Sequence, residues 1–254
     1  MKIINRISQF LLLFFLTGCT TAESQITEIR TFSGISGVAL LGSGDVTITL
    51  GDKEEITIYA PADLIPYLLT ENKDGILQIG KRKKGWKKYK NFNENVHYEL
   101  IVRELTHVGV SGSGDIDAEM LSGENCSVKV SGSGNININE LHTKKAKVHI
   151  SGSGDIDISK LSANVLNASI SGSGNMNIEG KTKELDVTIS GSGNFNGDDF
   201  KAEAVSINIY GSGDAKLVVT DNLEVQIAGS GDVVYYGNPQ VNSRVTGSGD
   251  IRHR

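Results

Sequence analysis

The chain has 254 residues with 25 basic and 30 acidic side chains, a net charge of −5, and it contains 30 glycines but only 3 prolines. Two cysteines leave no room for a disulfide-stapled scaffold. The dominance of Gly, Ser, Asn and β-branched residues, with no apolar stripe at helical spacing, excludes a helical protein.

At the N-terminus, Lys2 and Arg6 precede an apolar run from Phe10 to Leu16, and Leu16-Thr17-Gly18-Cys19 follows. The run is too short to span a bilayer and has the charged start of a secretory signal. The tetrapeptide reads as a lipobox, which predicts a lipoprotein signal peptide over 1–18, lipidation of Cys19 with fatty acyl (palmitate) chains, and a polar tether over 19–29. The membrane partner is then reached through the lipid. Thr20 in place of Asp points to the outer membrane, with the body facing the periplasm or the cell surface. Cys126 is the one cysteine left, on the same side of its strand as Val128 and Val130, and is expected to be a small core residue.

Residues 30–254 are expected to form a single domain. Its first part, 46–108, is irregular but still strand-like: Val46-Thr47-Ile48, Glu55 to Ile58, Ile76 to Ile79 and Val96 to Val102, with a tight-turn signal at Asp74-Gly75. About three less regular turns, or a small sheet, should cap the N-terminal end. Within it, seven of the ten residues Lys81, Arg82, Lys83, Lys84, Gly85, Trp86, Lys87, Lys88, Tyr89 and Lys90 are basic, in an otherwise acidic body. Such a segment suits an anionic glycan, lipid headgroups or an acidic envelope component, with Trp86 and Tyr89 adding stacking. A solvated hairpin tip is the competing reading, and nucleic acid does not fit an exported lipoprotein.

From 109 to 254 the sequence is periodic. Gly-Ser-Gly followed by Asp or Asn begins at Gly42 and, after a gap of 70, at Gly112, Gly132, Gly152, Gly172, Gly191, Gly211, Gly229 and Gly247, in steps of 20, 20, 20, 19, 20, 18 and 18. Alternating segments flank each copy, Val128-Lys129-Val130 before and Ile136-Asn137-Ile138 after, for example. A period of about 20 residues built of short strands predicts an all-β, right-handed parallel β-helix, a solenoid with one repeat per turn. Stacking would gather inward columns such as Val110, Val130, Ile150, Ile170 and Ile116, Ile136, Ile156, Met176, with Leu121, Leu141 and Leu161 beside them. The outward column of Lys129, His149, Ser169 and Thr188 reads as a solvated face.

The two glycines of each tetrapeptide should make a corner. At its fourth position stand Asp45, Asp115, Asn135, Asp155, Asn175, Asn194, Asp214, Asp232 and Asp250. Capping of the bend by these side chains is the simpler reading, with alternating Asn diluting charge repulsion. A divalent cation is the alternative, its weak candidate site being Asp214, Asp232 and Asp250. No catalytic constellation is visible: His97, His107, His142, His149 and His253 are scattered, and no phosphate loop or nucleophile elbow occurs. No cofactor is expected.

The multiplied Ser-Gly-Ser-Gly-Asp/Asn of Ser111 to Asp115, Ser131 to Asn135, Ser151 to Asp155 and Ser171 to Asn175, preceded by Gly75-Ile76-Leu77-Gln78-Ile79 and a lipoprotein signal, resembles the GIN domain over about residues 30–252. That family is classed as an adhesin head domain of autotransporter type. The resemblance implies a β-helical, exported, non-enzymatic domain and brings no binding residues with it. The expected function is therefore an adhesin-like binding scaffold of the cell envelope. A carbohydrate-active β-helix enzyme and a structural envelope protein assembling end to end through Gly247 to Ile251 are the alternatives, the latter opposed by the charges of Arg252-His253-Arg254.

Overall fold

Ile136 lies directly between Ile116 and Ile156, one residue register apart from neither, as strands β9 (Ile116–Gly132), β10 (Ile136–Gly152) and β11 (Ile156–Gly172) stack in parallel. In the computed structural model, which describes residues 25–82 and 96–254, this stacking continues through β12 (Met176–Gly191), β13 (Phe195–Gly211), β14 (Ala215–Gly229), β15 (Val233–Tyr236), β16 (Gln240–Gly247) and β17 (Ile251–His253). The described residues are 75% strand and form a β-solenoid of about seven turns with roughly 20 residues per turn. The expected columns are present: Val110, Val130, Ile150, Ile170, Ile189 and Ile209 pair in sequence and are all buried. Each such side chain contributes roughly 1.5–3 kcal/mol by leaving water, and one hydrophobic cluster runs the length of the rod.

Packing compensates where the repeat is irregular. The leucine column Leu121, Leu141, Leu161 is interrupted by Gly180 in β12, and the next residue in register is Phe200. Gly180 has φ +123°, and a Cβ there would stand 2.1 Å from the Leu161 carbonyl oxygen, so no leucine fits. Phe200 and Phe195, both fully buried and in edge-to-face contact at 6.3 Å, fill that space. Gly197 yields in turn, since its Cβ would meet both rings' residues at 3.0 Å.

The N-terminal end is built out of chain order. β2 (Gly37–Gly42) and β3 (Asp45–Leu50) form a regular turn with the first tetrapeptide at their corner, on which β8 (His107–Gly112) and β9 stack. The chain between them, β4 (Glu55–Pro61), β5 (Leu68–Lys73), β6 (Ile76–Lys81) and β7 (His97–Val102), goes to the opposite side: β6 pairs with β2 and β7 with β3. Antiparallel strands then close that end, β5 on β6, β4 on β7 and β1 (Gln25–Thr31) on β4. Arg30 ties the cap together, donating from Nη1 to Thr70 Oγ1 at 2.7 Å and to the Leu68 carbonyl at 3.3 Å over buried Ile35, Ile65 and Leu68.

The other end has no such cover among the described residues. β16 pairs only with β14, and β17 only with β15. Val241 and Val245 are 42% and 41% exposed, although their partners one turn back, Leu223 and Ile227, are 1% and 2% exposed.

Candidate binding surface

The repeated corner is a backbone device. The N–H groups of Ser133 and Gly134 both donate to the Gly112 carbonyl at 2.9 and 3.1 Å, and the same fork recurs at the other corners from Gly112 onward except that of Ser230, where the Ser230 N–H alone donates to the Gly211 carbonyl. For the turns to approach that closely the second glycine must lack a side chain: a Cβ on Gly154 would sit 2.0 Å from the Gly134 carbonyl oxygen. The serines between the glycines, such as Ser133 and Ser153, are exposed and supply their N–H to the fork.

The fourth residue acts between turns. Asp115 Oδ1 accepts from the Asn135 N–H at 2.7 Å, Asn135 Oδ1 from the Asp155 N–H at 2.9 Å, and Asp155 Oδ1 from the Asn175 N–H at 2.7 Å. Each side chain thus caps the turn above it rather than its own bend. The Asn amides also donate down the column, Asn135 Nδ2 to Asp115 Oδ1 at 3.1 Å, which offsets the carboxylate charge. A second ladder runs alongside, with Asn137 Nδ2 on Asp117 Oδ1 at 2.7 Å and Asn177 Nδ2 on Asp157 Oδ1 at 2.6 Å. Its sequence signal is the matched alternation Asp115-Ile116-Asp117, Asn135-Ile136-Asn137, Asp155-Ile156-Asp157.

Asp214, Asp232 and Asp250 continue the first ladder without an intervening amide. Asp214 Oδ1 accepts the Asp232 N–H at 2.8 Å and Asp232 Oδ1 the Asp250 N–H at 2.9 Å. Arg252 supplies the positive charge, at 3.2 Å from Asp232 Oδ2 and 2.9 Å from Asp250 Oδ2. The guanidinium, with the Ile251 N–H, holds the Asp250 carboxyl below its ordinary value. These carboxylates have hydrogen-bond and charge partners within the chain, and no group of three or more candidate metal ligands occurs among the described residues.

Of the basic segment, Lys81 and Arg82 are described, and both turn back onto the fold. Lys81 Nζ donates to Ser43 Oγ at 3.0 Å, and burial lowers its pKa. The Arg82 N–H donates to the Tyr67 carbonyl at 2.9 Å and its Nε to that of Leu68 at 3.3 Å. Lys83, Lys84, Trp86, Lys87, Lys88, Tyr89 and Lys90 lie outside the described residues, as does Cys19. The described residues on either side of these, Gly80 and His97, pair with Leu41 and Asp45 next to the Gly42-Ser43-Gly44 corner of the neighbouring turn.

The histidines are not brought together. His142 meets Glu140 at 2.8 Å, His149 meets Ser169 at 2.7 Å, and His253 meets the Gly237 carbonyl at 2.7 Å. Cys126 is buried in register with Ala146, and desolvation raises its thiol pKa, the opposite of what a nucleophile needs. The sequence did not reveal one concave feature, an open groove of about 540 Å³ that includes Leu185, Val205, Leu223 and Val241 together with Glu184, Asp186 and Glu224.

A parallel β-solenoid whose repeated polar residues are spent on holding turn to turn is a scaffold that presents surfaces. The chain belongs to the family described as "Putative auto-transporter adhesin, head GIN domain", whose model matches residues 34–239. Among solved structures, a "putative adhesin" from Parabacteroides merdae ATCC 43184 is similar at 23% identity and TM-score 0.85, over 91% of this chain and 96% of that one. A "Putative lipid binding protein" from Parabacteroides distasonis ATCC 8503 is similar at 24% identity and TM-score 0.81, over 91% and 96%. A "putative adhesin" from the same organism aligns at 22% identity and TM-score 0.85, over 91% and 97%. No curated protein matches the chain. An adhesin-type family is one of envelope or surface proteins, and no helix among the described residues is long and apolar enough to cross a membrane.

Proposed function

We propose that the chain is a non-enzymatic lipoprotein of the outer membrane, anchored through Cys19, whose solenoid holds a basic segment against an anionic glycan of the envelope. One observation supports this above others: Lys81 and Val96, which flank the segment, lie in the outermost solenoid turn at the capped end, the end that also carries β1. Fully extended, the residues from Cys19 to Gln25 reach at most about 20 Å. Anchor and basic segment then face the same envelope surface, and the rod projects away from it. Clustered lysines raise the local concentration of an anionic polymer and need no fixed geometry to do so.

The test changes Lys83, Lys84, Lys87, Lys88 and Lys90 to Ser and leaves Lys81 and Arg82, which hold the fold, in place. Binding of both proteins to an array of anionic glycans is compared at low and physiological salt. The reading expects at least about a tenfold loss for the variant, as removal of several salt-screened contacts requires. Unchanged glycan binding contradicts it, and labelling with a radioactive fatty acid that fails on the wild type but not on a known lipoprotein contradicts the anchor.

A further inference from the structure

We propose that the outward face of β13 and its neighbours is a second binding site, separate from the basic segment, for an amino-sugar oligosaccharide, a chain of pyranose rings that carries protonated amines. The repeat itself marks the place. In the position just before each corner the register runs from Ser111 through Ser131, Ser151 and Ser171 to Ser190, and then Tyr210 takes over. Serine satisfies the fold there, so stacking of the turns does not need the tyrosine. Tyr210 is 55% exposed, and no other phenylalanine or tyrosine among the described residues is exposed. Such a ring offers a flat apolar platform with a polar tip and loses little side-chain freedom when a ligand covers it.

The open groove lies on the same face. Alternation along β13 puts Ala204, Ser206 and Asn208 on the side of Tyr210. Ala204 and Ser206 are short, whereas their neighbours in register are Glu184 and Asp186 on β12 and Asn222 and Glu224 on β14. The short pair between longer walls makes the dip in the groove of about 540 Å³. From Ser206 to Tyr210 the strand advances about 13 Å, so a ligand that uses both dip and ring is a chain of several units.

Charge selects the chain. Glu184, Asp186 and Glu224 border the groove, no lysine or arginine lines it, and none of the three carboxylates is in an ion pair among the described residues. Uncompensated carboxylates repel uronates, sulfates and phosphates and attract a cation. Between dip and ring, Asn208 with Gln226 beside it adds uncharged donors and acceptors that suit hydroxyls. β13 is paired along both edges, by β12 and β14, so no backbone there is free to add an extended peptide as a further strand. Ring faces for the tyrosine, amines for the carboxylates and hydroxyls for the amides occur together in an oligomer of glucosamine.

Titration calorimetry on the full chain in detergent tests this, with the hexamer of β-1,4-linked glucosamine in mildly acid, low-salt buffer that keeps the amines protonated and the carboxylates ionised. Tyr210→Ser, which restores the residue of the neighbouring turns, should weaken binding at least about tenfold with an unchanged melting temperature. Asp186→Asn together with Glu224→Gln should do the same and remove most of the salt dependence. The uncharged N-acetylated hexamer should bind at least about tenfold more weakly than the free amine. The basic-segment variant should bind the glucosamine hexamer as the wild type does, which separates this site from the one proposed above. No binding at millimolar hexamer overturns the proposal, as does equal binding of the acetylated hexamer, tighter binding of hexalysine, or a Tyr210→Ser protein that binds like the wild type.

Discussion

Gly112 stacks on Gly42, although 70 residues separate them, so closely that a Cβ on Gly112 would lie 2.2 Å from the Gly42 carbonyl oxygen. The chain makes its first regular corner, leaves to build the turn beneath it and the cap, and returns to lay the second corner on top of the first. The same close approach repeats up the rod and makes the glycines, rather than the serines, the residues the fold depends on.

Gly154→Ala should therefore be among the most damaging single changes. Its methyl would meet backbone, Gly134 carbonyl oxygen at 2.0 Å, and cannot be relieved by a rotamer change. A loss above about 4 kcal/mol, or failure to fold, is expected, against less than about 0.5 kcal/mol for exposed Ser153→Ala. Equilibrium urea unfolding distinguishes the two.

Asn135→Asp places a third carboxylate between Asp115 and Asp155 and removes the amide that donates to Asp115. Among the described residues no arginine pairs with this part of the ladder, as Arg252 does at its end, and a cost of roughly 0.5–1.5 kcal/mol at neutral pH is expected. The deficit should shrink in high salt and vanish once the carboxyls are protonated. Melting temperature against pH and salt reads this out; a salt-independent deficit would mean that charge is not its origin.

Phe200→Ala empties the space that Gly180 leaves and should cost about 3–5 kcal/mol. Gly180→Leu should not rescue it, because the backbone there lies at φ +123° and the Leu161 carbonyl oxygen stands in the way. Stability of the double variant, measured by denaturant unfolding, should be no better than that of Phe200→Ala alone.

At the last turn, Arg252 and the Ile251 N–H hold the Asp250 carboxyl below its ordinary value. A carboxyl depressed in the folded state adds stability above its unfolded value, about pH 4, and that contribution is lost as the pH falls through the lowered folded value. Side-chain titration by NMR should find Asp250 below the ordinary range and moved up by Arg252→Gln. Arg252 pairs with Asp232 and Asp250, and backbone N–H groups engage Asp214 and Asp232, so a chelator should leave the wild-type melting temperature unchanged within about 1 °C, a shift smaller than 1 kcal/mol would produce. A clear drop would revive Asp214, Asp232 and Asp250 as a cation site.

Much of this was legible in the letters. The 20-residue spacing placed Ile116, Ile136 and Ile156 in one column, and the alternation around each corner gave strand and facing, because a repeat stacked on itself turns sequence identity into spatial adjacency. Other features were not legible, for physical reasons. Nothing in the sequence from Asp45 to Val110 says on which side of the first turn the irregular strands lie, since pairing on either face of β2 and β3 satisfies the same alternation. The aspartates and asparagines announced a capping role, but whether Asp115 caps its own bend or the Asn135 N–H depends on side-chain direction. The exchange of Gly180 for Phe200 became visible only once register made them neighbours. At the candidate site, charge alone identified the basic segment, and it could not tell that Lys81 and Arg82 are engaged by Ser43 and Leu68.

The stacking of corner on corner is tested most directly by a thiol pair across the longest gap in the repeat. Leu41 and Ser111 are in register on adjacent strands and both face outward. Leu41→Cys with Ser111→Cys, treated with a short bis-thiol linker and mapped by proteolysis, should yield one intramolecular bridge joining the two peptides in the folded protein and none in urea. Absence of that bridge in folded protein, or bridging of Ser111→Cys to a cysteine at Glu71 on β5 instead, would contradict the order of turns and with it the account of the fold.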